Sequence, residues 1–181
     1  MHPALVIIDM VSAFDFPEAP ALHPSVVAAA KQIRRLRAHF QKHGHPVIFA
    51  NDNFANWRAD FNQLVNMARA SGGTGHAVVE LLPPQPEDYF VLKPKHSAFL
   101  ATALPVLLAK LGVDRVYLTG MTADSCVLAT AVDANAREYD VRVVADAVAG
   151  LAPAKRRALA LIDEGHIGEV VTTTAAMRQV R

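Results

Sequence analysis

The sequence predicts an α/β fold, a three-layer αβα sandwich around a mostly parallel six-stranded sheet. Three observations predict it. Short, continuously apolar runs alternate with longer runs of helical spacing. The strand–helix–strand pattern repeats five times, and right-handed crossovers between parallel strands are what such repeats build. The chain has 181 residues, 52% of them hydrophobic and 19% charged, enough apolar surface to cover a sheet on both faces.

Ala4–Ile8 is a continuous apolar run, the pattern of a parallel strand buried on both sides, and Asp9 ends it. Ser25–Lys42 carries apolar residues at Val26, Val27, Ala30, Ile33, Leu36 and Phe40, a helical spacing closed by Gly44. Pro46–Ala50 reads as the second strand. Asp60–Ala70 reads as a helix ended by Ser71, Gly72 and Gly73. Pro83, Pro84 and Pro86 mark a loop before the third strand, Tyr89–Leu92. Leu100–Leu111 is helical, Val116–Thr119 is the fourth strand, and Gly120 punctuates it. Ser125–Glu138 is an Ala-rich helix, and Val141–Val144 is the fifth strand. Pro153–Glu164 is a helix with Pro near its first position, and Glu169–Thr172 is the sixth strand. No linker, repeat or low-complexity tract interrupts the series, so one domain is expected over residues 1–181.

Eighteen basic against seventeen acidic residues leave a formal charge of +1, which implies neither a nucleic-acid nor an anionic-membrane partner. The single cysteine, Cys126, excludes an internal disulfide framework and fits a reducing compartment. The N-terminus lacks the basic segment and long apolar core of a signal peptide, and no run approaches a membrane span. A cytoplasmic protein acting on a small molecule is the expectation.

In open parallel sheets, ligands bind beyond the carboxyl ends of the strands. Asp9 follows strand one, Asn51, Asp52 and Asn53 follow strand two, Lys93 follows strand three, and Gly120 to Cys126 follow strand four. Four strands thus deliver an acid, an amide cluster, an ammonium and a thiol to one edge. Cys126 opens a helix, where unpaired N–H groups and the helix dipole favour a thiolate; the alternative for a lone cysteine is a small buried hydrophobe. A nucleophilic thiol needs a proton acceptor and a charge partner. Asp9, desolvated by the apolar run before it, is the available base, or else a strand-end cap. Lys93 or Lys95 supplies the positive charge, unless both are ordinary surface lysines. Backbone N–H groups of the Gly120–Cys126 turn can face an oxyanion, where one donor is worth about 3 kcal/mol. Asp124 and Ser125 read as helix N-caps. Of eight histidines, none has the spacing of a Cys–His pair or a metal site, and only His96 falls near this edge. For substrate contacts, Phe14 with Phe16 offers a wall, Asn53 an amide, Trp57 a stacking face and Arg58 a guanidinium for a carboxylate. Trp57 serves equally as a helix-packing residue and Arg58 as a surface residue. Asp146 reads as structural and Asp133 as a solvated helix-face charge.

Asp9 in Val-Ile-Ile-Asp-Met, Lys93 in Lys-Pro-Lys-His-Ser-Ala-Phe and Cys126 in Gly-Met-Thr-Ala-Asp-Ser-Cys-Val together resemble the isochorismatase-like cysteine hydrolases. The likeness runs from about Leu5 to Val171. It implies an Asp–Lys–Cys triad with Asp9 as base, Lys93 as charge partner and Cys126 as nucleophile. Lys93 is chosen over Lys95 because the family's lysine precedes the Ser-Ala-Phe element by four residues. The resemblance also implies a cis peptide at Met121–Thr122, with the amides of Thr122 and Cys126 forming the oxyanion hole, and a homo-oligomer. Two departures matter. Relatives of the nicotinamidase type carry a metal-binding Asp-x-His where this chain has Asp52-Asn53-Phe54, so no metal and no cofactor are expected. Isochorismatases generally lack the cysteine, and Val11 and Ser12 replace the Gln or Asn of many relatives. The expected activity is hydrolysis of a C–N bond in a small amide or carbamoyl compound. The rivals are vinyl-ether hydrolysis, with Asp9 as general acid, and a non-catalytic binding or redox-sensing role.

Overall fold

Six strands make one all-parallel sheet: β1 (Pro3–Ile8), β2 (Val47–Asp52), β3 (Tyr89–Lys93), β4 (Arg115–Gly120), β5 (Asp140–Val148) and β6 (Glu169–Val171). Their order is β3-β2-β1-β4-β5-β6. The computed structural model describes all 181 residues. Every residue of β1 is buried, which is why its sequence is a continuous apolar run rather than an alternation. Its side chains still divide by parity. Leu5 and Ile7 join Phe49 and Tyr117 on one face, under α1 (Ala19–Lys42), α2 (Phe61–Ala70), α3 (Gly73–Leu81) and α7 (Thr173–Gln179). Ala4, Val6 and Ile8 join Ile48 and Leu118 on the other, under α4 (Leu104–Lys110), α5 (Leu128–Asn135) and α6 (Ala152–Glu164). Full burial of each such Leu, Ile, Val or Phe contributes about 1.5–3 kcal/mol, so the two cores fix the three layers. No helix is long and apolar enough to cross a membrane.

The α/β sandwich matches the expectation, with local differences. α1 begins at Ala19, not Ser25, and carries Pro24 inside it, because Ala19, Leu22 and Val26 all reach the core. Gly72 and Gly73, expected only to end a helix, also open α3; both have positive φ. α3 lies against the loop after β1 so closely that a Cβ on Gly75 would meet Ser12 O and Ala68 O. α4 starts at Leu104, four residues later than expected. The helix after β4 is opened by a single π turn over Ala123–Val127. β5 runs four residues beyond Val144. α7 was not expected; Asp146 holds it by accepting from Thr173 N and Oγ1 at 2.7 and 2.9 Å.

The strand order reverses between β1 and β4, and at such a switch point the carboxyl ends leave a crevice. Register aligns what lies there: Ile8 pairs with Gly120 and Ala50, and Asp52 with Lys93. Gly120 has φ 105°, and a Cβ on it would fall on the Ile8 backbone. Gly120→Ala is therefore expected to lower stability by about 3 kcal/mol or more in chemical denaturation, combining backbone strain with a clash against the central strand.

Candidate active site

Lys93, the last residue of β3, is fully buried with 0% exposure and forms the centre of the site. Its Nζ lies 2.8 Å from Asp9 Oδ2, 3.0 Å from Lys95 O, 3.4 Å from Asp52 Oδ2 and 3.5 Å from Cys126 Sγ. Asp9 is 6% exposed and adopts φ 53°, a left-handed conformation that Asp tolerates better than most residues. Its other oxygen accepts from Asp52 N at 2.7 Å. The neighbouring Asn51 is equally committed: its amide bonds Val11 N and O and so pins the chain just after Asp9.

Burial pushes the Asp9 carboxyl above its ordinary range, and Lys93, the thiol and the Asp52 amide pull it only part of the way back. Burial alone would discharge Lys93; the Asp9 carboxylate reverses this and holds the ammonium above its usual value. Burial, and then Asp9, push the Cys126 thiol up to about 12, against the opposing pull of Lys93 and Ser125. This differs from the thiolate expected of a helix N-terminus. The π turn places Sγ near a buried carboxylate, and desolvation is the largest cause of the rise.

In the turn before Cys126, the Met121–Thr122 peptide is cis. Met121 N donates to Ile8 O, Ala123 N to Ala149 O, and both Ser125 N and Val127 N to Thr122 O. Thr122 N has no protein acceptor. A cavity of about 240 Å³ opens beside it, lined by Phe16, Glu18, Leu22, Thr122, Asp124, Leu151 and Ala154.

The structure brings Asp9, Lys93 and Cys126 together, with Thr122 in the turn before the cysteine; it treats the other expected residues differently. Phe14 is buried and packs on Phe16 with ring centroids 5.9 Å apart. Asn53 is buried, and its side chain accepts from Ala55 N at 3.0 Å, so its carbonyl oxygen shapes the turn after β2. Trp57 is 76% exposed, and Arg58 is exposed on the same loop, with neither bonded to Asp9, Lys93 or Cys126. Lys95 is exposed and contributes its carbonyl instead of its ammonium. Asp124 and Ser125 are not caps, because Thr122 holds the N-cap position without a side-chain bond. Ser125 Oγ instead lies 3.2 Å from His96 Nδ1 and 3.9 Å from Cys126 Sγ. Asp52, expected only as part of a polar cluster, is a second carboxylate on Lys93. Its other oxygen accepts from Phe54 N, and no group of three His, Cys, Asp or Glu side chains is placed to hold an ion. Those residues do not fit a bound metal.

Residues 3–176 match the Isochorismatase domain. The chain belongs to the isochorismatase family. An isochorismatase-family protein of Bacillus subtilis, YaaI, is 34% identical over 81% of this chain and 80% of its own length. The maleamate amidohydrolase of Pseudomonas putida is 33% identical over 99% of this chain and 87% of its own. Among solved structures, N-carbamoylsarcosine amidase from Thermoplasma acidophilum superposes with a TM-score of 0.73 at 29% identity, covering 96% of this chain and 95% of that one. As a member of this isochorismatase family, the protein is a hydrolase.

The raised thiol has a signed consequence. Between the ordinary value of 9.0 and about 12, the unfolded thiol ionises while the folded one keeps its proton. Folding stability attributable to Cys126 therefore falls above pH 9, by up to about 1.4 kcal/mol per pH unit. Denaturation of the wild type from pH 8 to 10.5 is expected to show this slope, and Cys126→Ala to lack it.

Proposed function

We propose that the protein is a cysteine hydrolase that cleaves the C–N bond of a small amide or carbamoyl compound through a thioester acyl-enzyme. The observation that carries the reading is the fully buried Lys93 ammonium, 2.8 Å from Asp9 and 3.5 Å from Cys126. An ammonium so placed keeps Asp9 a carboxylate, while burial makes that carboxylate more basic than usual.

As Sγ attacks the substrate carbonyl, its proton passes to Asp9, and Lys93 offsets the charge moving between them. The oxygen that gains the negative charge meets the N–H groups of Thr122 and Cys126. Asp9 then returns the proton to the leaving nitrogen, which departs as ammonia or an amine and leaves the acyl group on Sγ. A water molecule gives a proton to Asp9 and attacks the thioester. Sγ leaves, recovers that proton, and the carboxylic acid is released. Each proton that Asp9 accepts it gives back, so the cycle closes on one base. The P. putida and T. acidophilum relatives, an amidohydrolase and an amidase by name, support C–N cleavage.

Ammonia release from a panel of small amides and ureido acids tests the reading. Cys126→Ala and Asp9→Asn are expected to lose about a thousandfold or more in kcat/KM. Asp133→Ala, which removes only an exposed pair with Arg137, is expected to leave the rate unchanged. Ammonia release that survives Cys126→Ala would sink the thioester route.

A further inference from the structure

Thr130 is a buried polar residue that the proton cycle above does not use. It lies in α5, one helical turn after Cys126, with 0% exposure. Its hydroxyl serves two pieces of chain at once. Oγ1 donates to Cys126 O at 2.7 Å, and Ala98 N donates to Oγ1 at 3.0 Å.

Cys126 sits in the π turn after β4, and Ala98 in the irregular segment after β3. No strand ladder joins the two, because β2 and β1 separate β3 from β4 in the sheet. The segment after β3 starts at the centre of the site, where the Lys95 carbonyl accepts from the Lys93 ammonium at 3.0 Å. Apart from the contacts of Sγ itself, the other polar link across this gap is Ser125 Oγ with His96 Nδ1 at 3.2 Å, and it is exposed. Water competes for an exposed link and not for the Thr130 bridge.

A threonine suits this place because its hydroxyl donates and accepts from one position. Its β-branch restricts χ1, and the carbonyl four residues back is the one a helical threonine reaches. Ala98 is fully buried, with this hydroxyl as the acceptor of its N–H. Removing the hydroxyl leaves a buried donor unpaired, and the segment has to shift to satisfy it.

We propose that Thr130 is a positioning residue for the thiol: its hydroxyl holds the cysteine turn against the lysine segment, so that Sγ stays where Asp9 can take its proton. This deepens the reading above and rests on Cys126 as the attacking group and Asp9 as its base.

Iodoacetamide tests this without any substrate, and Cys126 is the only thiol to label. Asp9, Lys93, His96 and Ser125 face Sγ, with Asp52 beyond Lys93. With Asp9 in place to accept the proton, the wild-type rate is expected to change little from about pH 6.5 to about pH 8.5. Thr130→Val keeps the shape of the side chain and loses the hydroxyl. It is expected to react about tenfold more slowly at the lower pH and to speed up about tenfold per pH unit, as glutathione does. Thr130→Ser keeps both hydrogen bonds and is expected to restore the flat profile. Histidines ionise in this window, so the series is repeated with His96→Gln, where the same contrast is expected. Circular dichroism checks the fold of each variant.

A wild-type profile as steep as that of glutathione overturns the proposal. So does a flat profile for Thr130→Val, a steep one for Thr130→Ser, or a contrast that vanishes with His96→Gln. An equal change of rate at every pH would mark altered access to the thiol alone and overturns it as well. If Thr130→Val does not fold, Thr130→Ala takes its place; two unfolded variants beside a folded Thr130→Ser assign the residue to the fold and overturn its role in the site. The two readings fail separately. Ammonia release retained by Cys126→Ala removes the thioester route whatever the alkylation profile, and a flat Thr130→Val profile removes the positioning role while ammonia release stands.

Discussion

The arrangement at the carboxyl edge of the sheet depends on one buried charge. Moving an ammonium out of water costs several kcal/mol after relaxation, and Lys93 has no solvent contact to reduce that cost. Asp9 at 2.8 Å offsets most of it, with the Lys95 carbonyl and Asp52 completing the shell. These partners come from the ends of β1 and β2 and from the segment after β3, while Sγ comes from the turn after β4. A single cation therefore joins four pieces of chain that the sheet only brings near. It also offsets part of the cost of burying the Asp9 carboxyl, whose desolvation pushes it above its ordinary range.

The sheet supplies the approach on which that charge depends. The central strand ends at Ile8, and its neighbours end in register at Ala50 and Gly120. Only a residue without Cβ lets β4 lie so close to the Ile8 backbone before turning into the π helix. The turn then spends its N–H groups unevenly. Those of Met121, Ala123, Ser125 and Val127 go to protein acceptors, and that of Thr122 does not. A π turn in place of a regular first helical turn presents Cys126 at a different angle, a geometry found often at functional sites.

Much of this was legible in the residues, and the failures have physical causes. Buried parallel strands announce themselves as apolar runs, so six strands and their polar ends could be placed, and with them Asp9, Lys93 and Cys126. Helix boundaries were weaker where propensity and packing disagree. The apolar spacing read for α1 began at Ser25, yet the burial of Ala19 and Leu22 carries the helix back through Pro24. Gly72 and Gly73 argued for a stop, and they are both a stop and a start. Side-chain direction was not legible at all. Ser125 has the composition of a cap but points to His96 and Sγ, and Trp57 has the composition of a pocket wall but stands in solvent. Asp52 was visible only as part of a polar cluster and Thr130 was not singled out, because their importance lies in contacts 41 residues away to Lys93 and 32 residues away to Ala98. Thr130 did leave one local sign, its place one helical turn after the cysteine.

The proton on the thiol gives the site its logic. A cysteine held as thiolate at rest would react with oxidants and electrophiles whenever the site was open to solvent. Here desolvation and Asp9 push the thiol up to about 12, which favours a protonated sulfur at rest. In the proposed mechanism the proton moves at the moment of attack, when Sγ gains its bond to carbon and no free thiolate has to exist. The same burial that raises the thiol also raises Asp9, making it a stronger proton acceptor than a solvated carboxylate. Lys93 keeps its charge throughout and faces both groups, so the negative charge shifts between two atoms that the ammonium already holds. Under that proposal little reorganisation is left for the reaction itself, since preorganised charges lower a barrier by being in place before it is climbed.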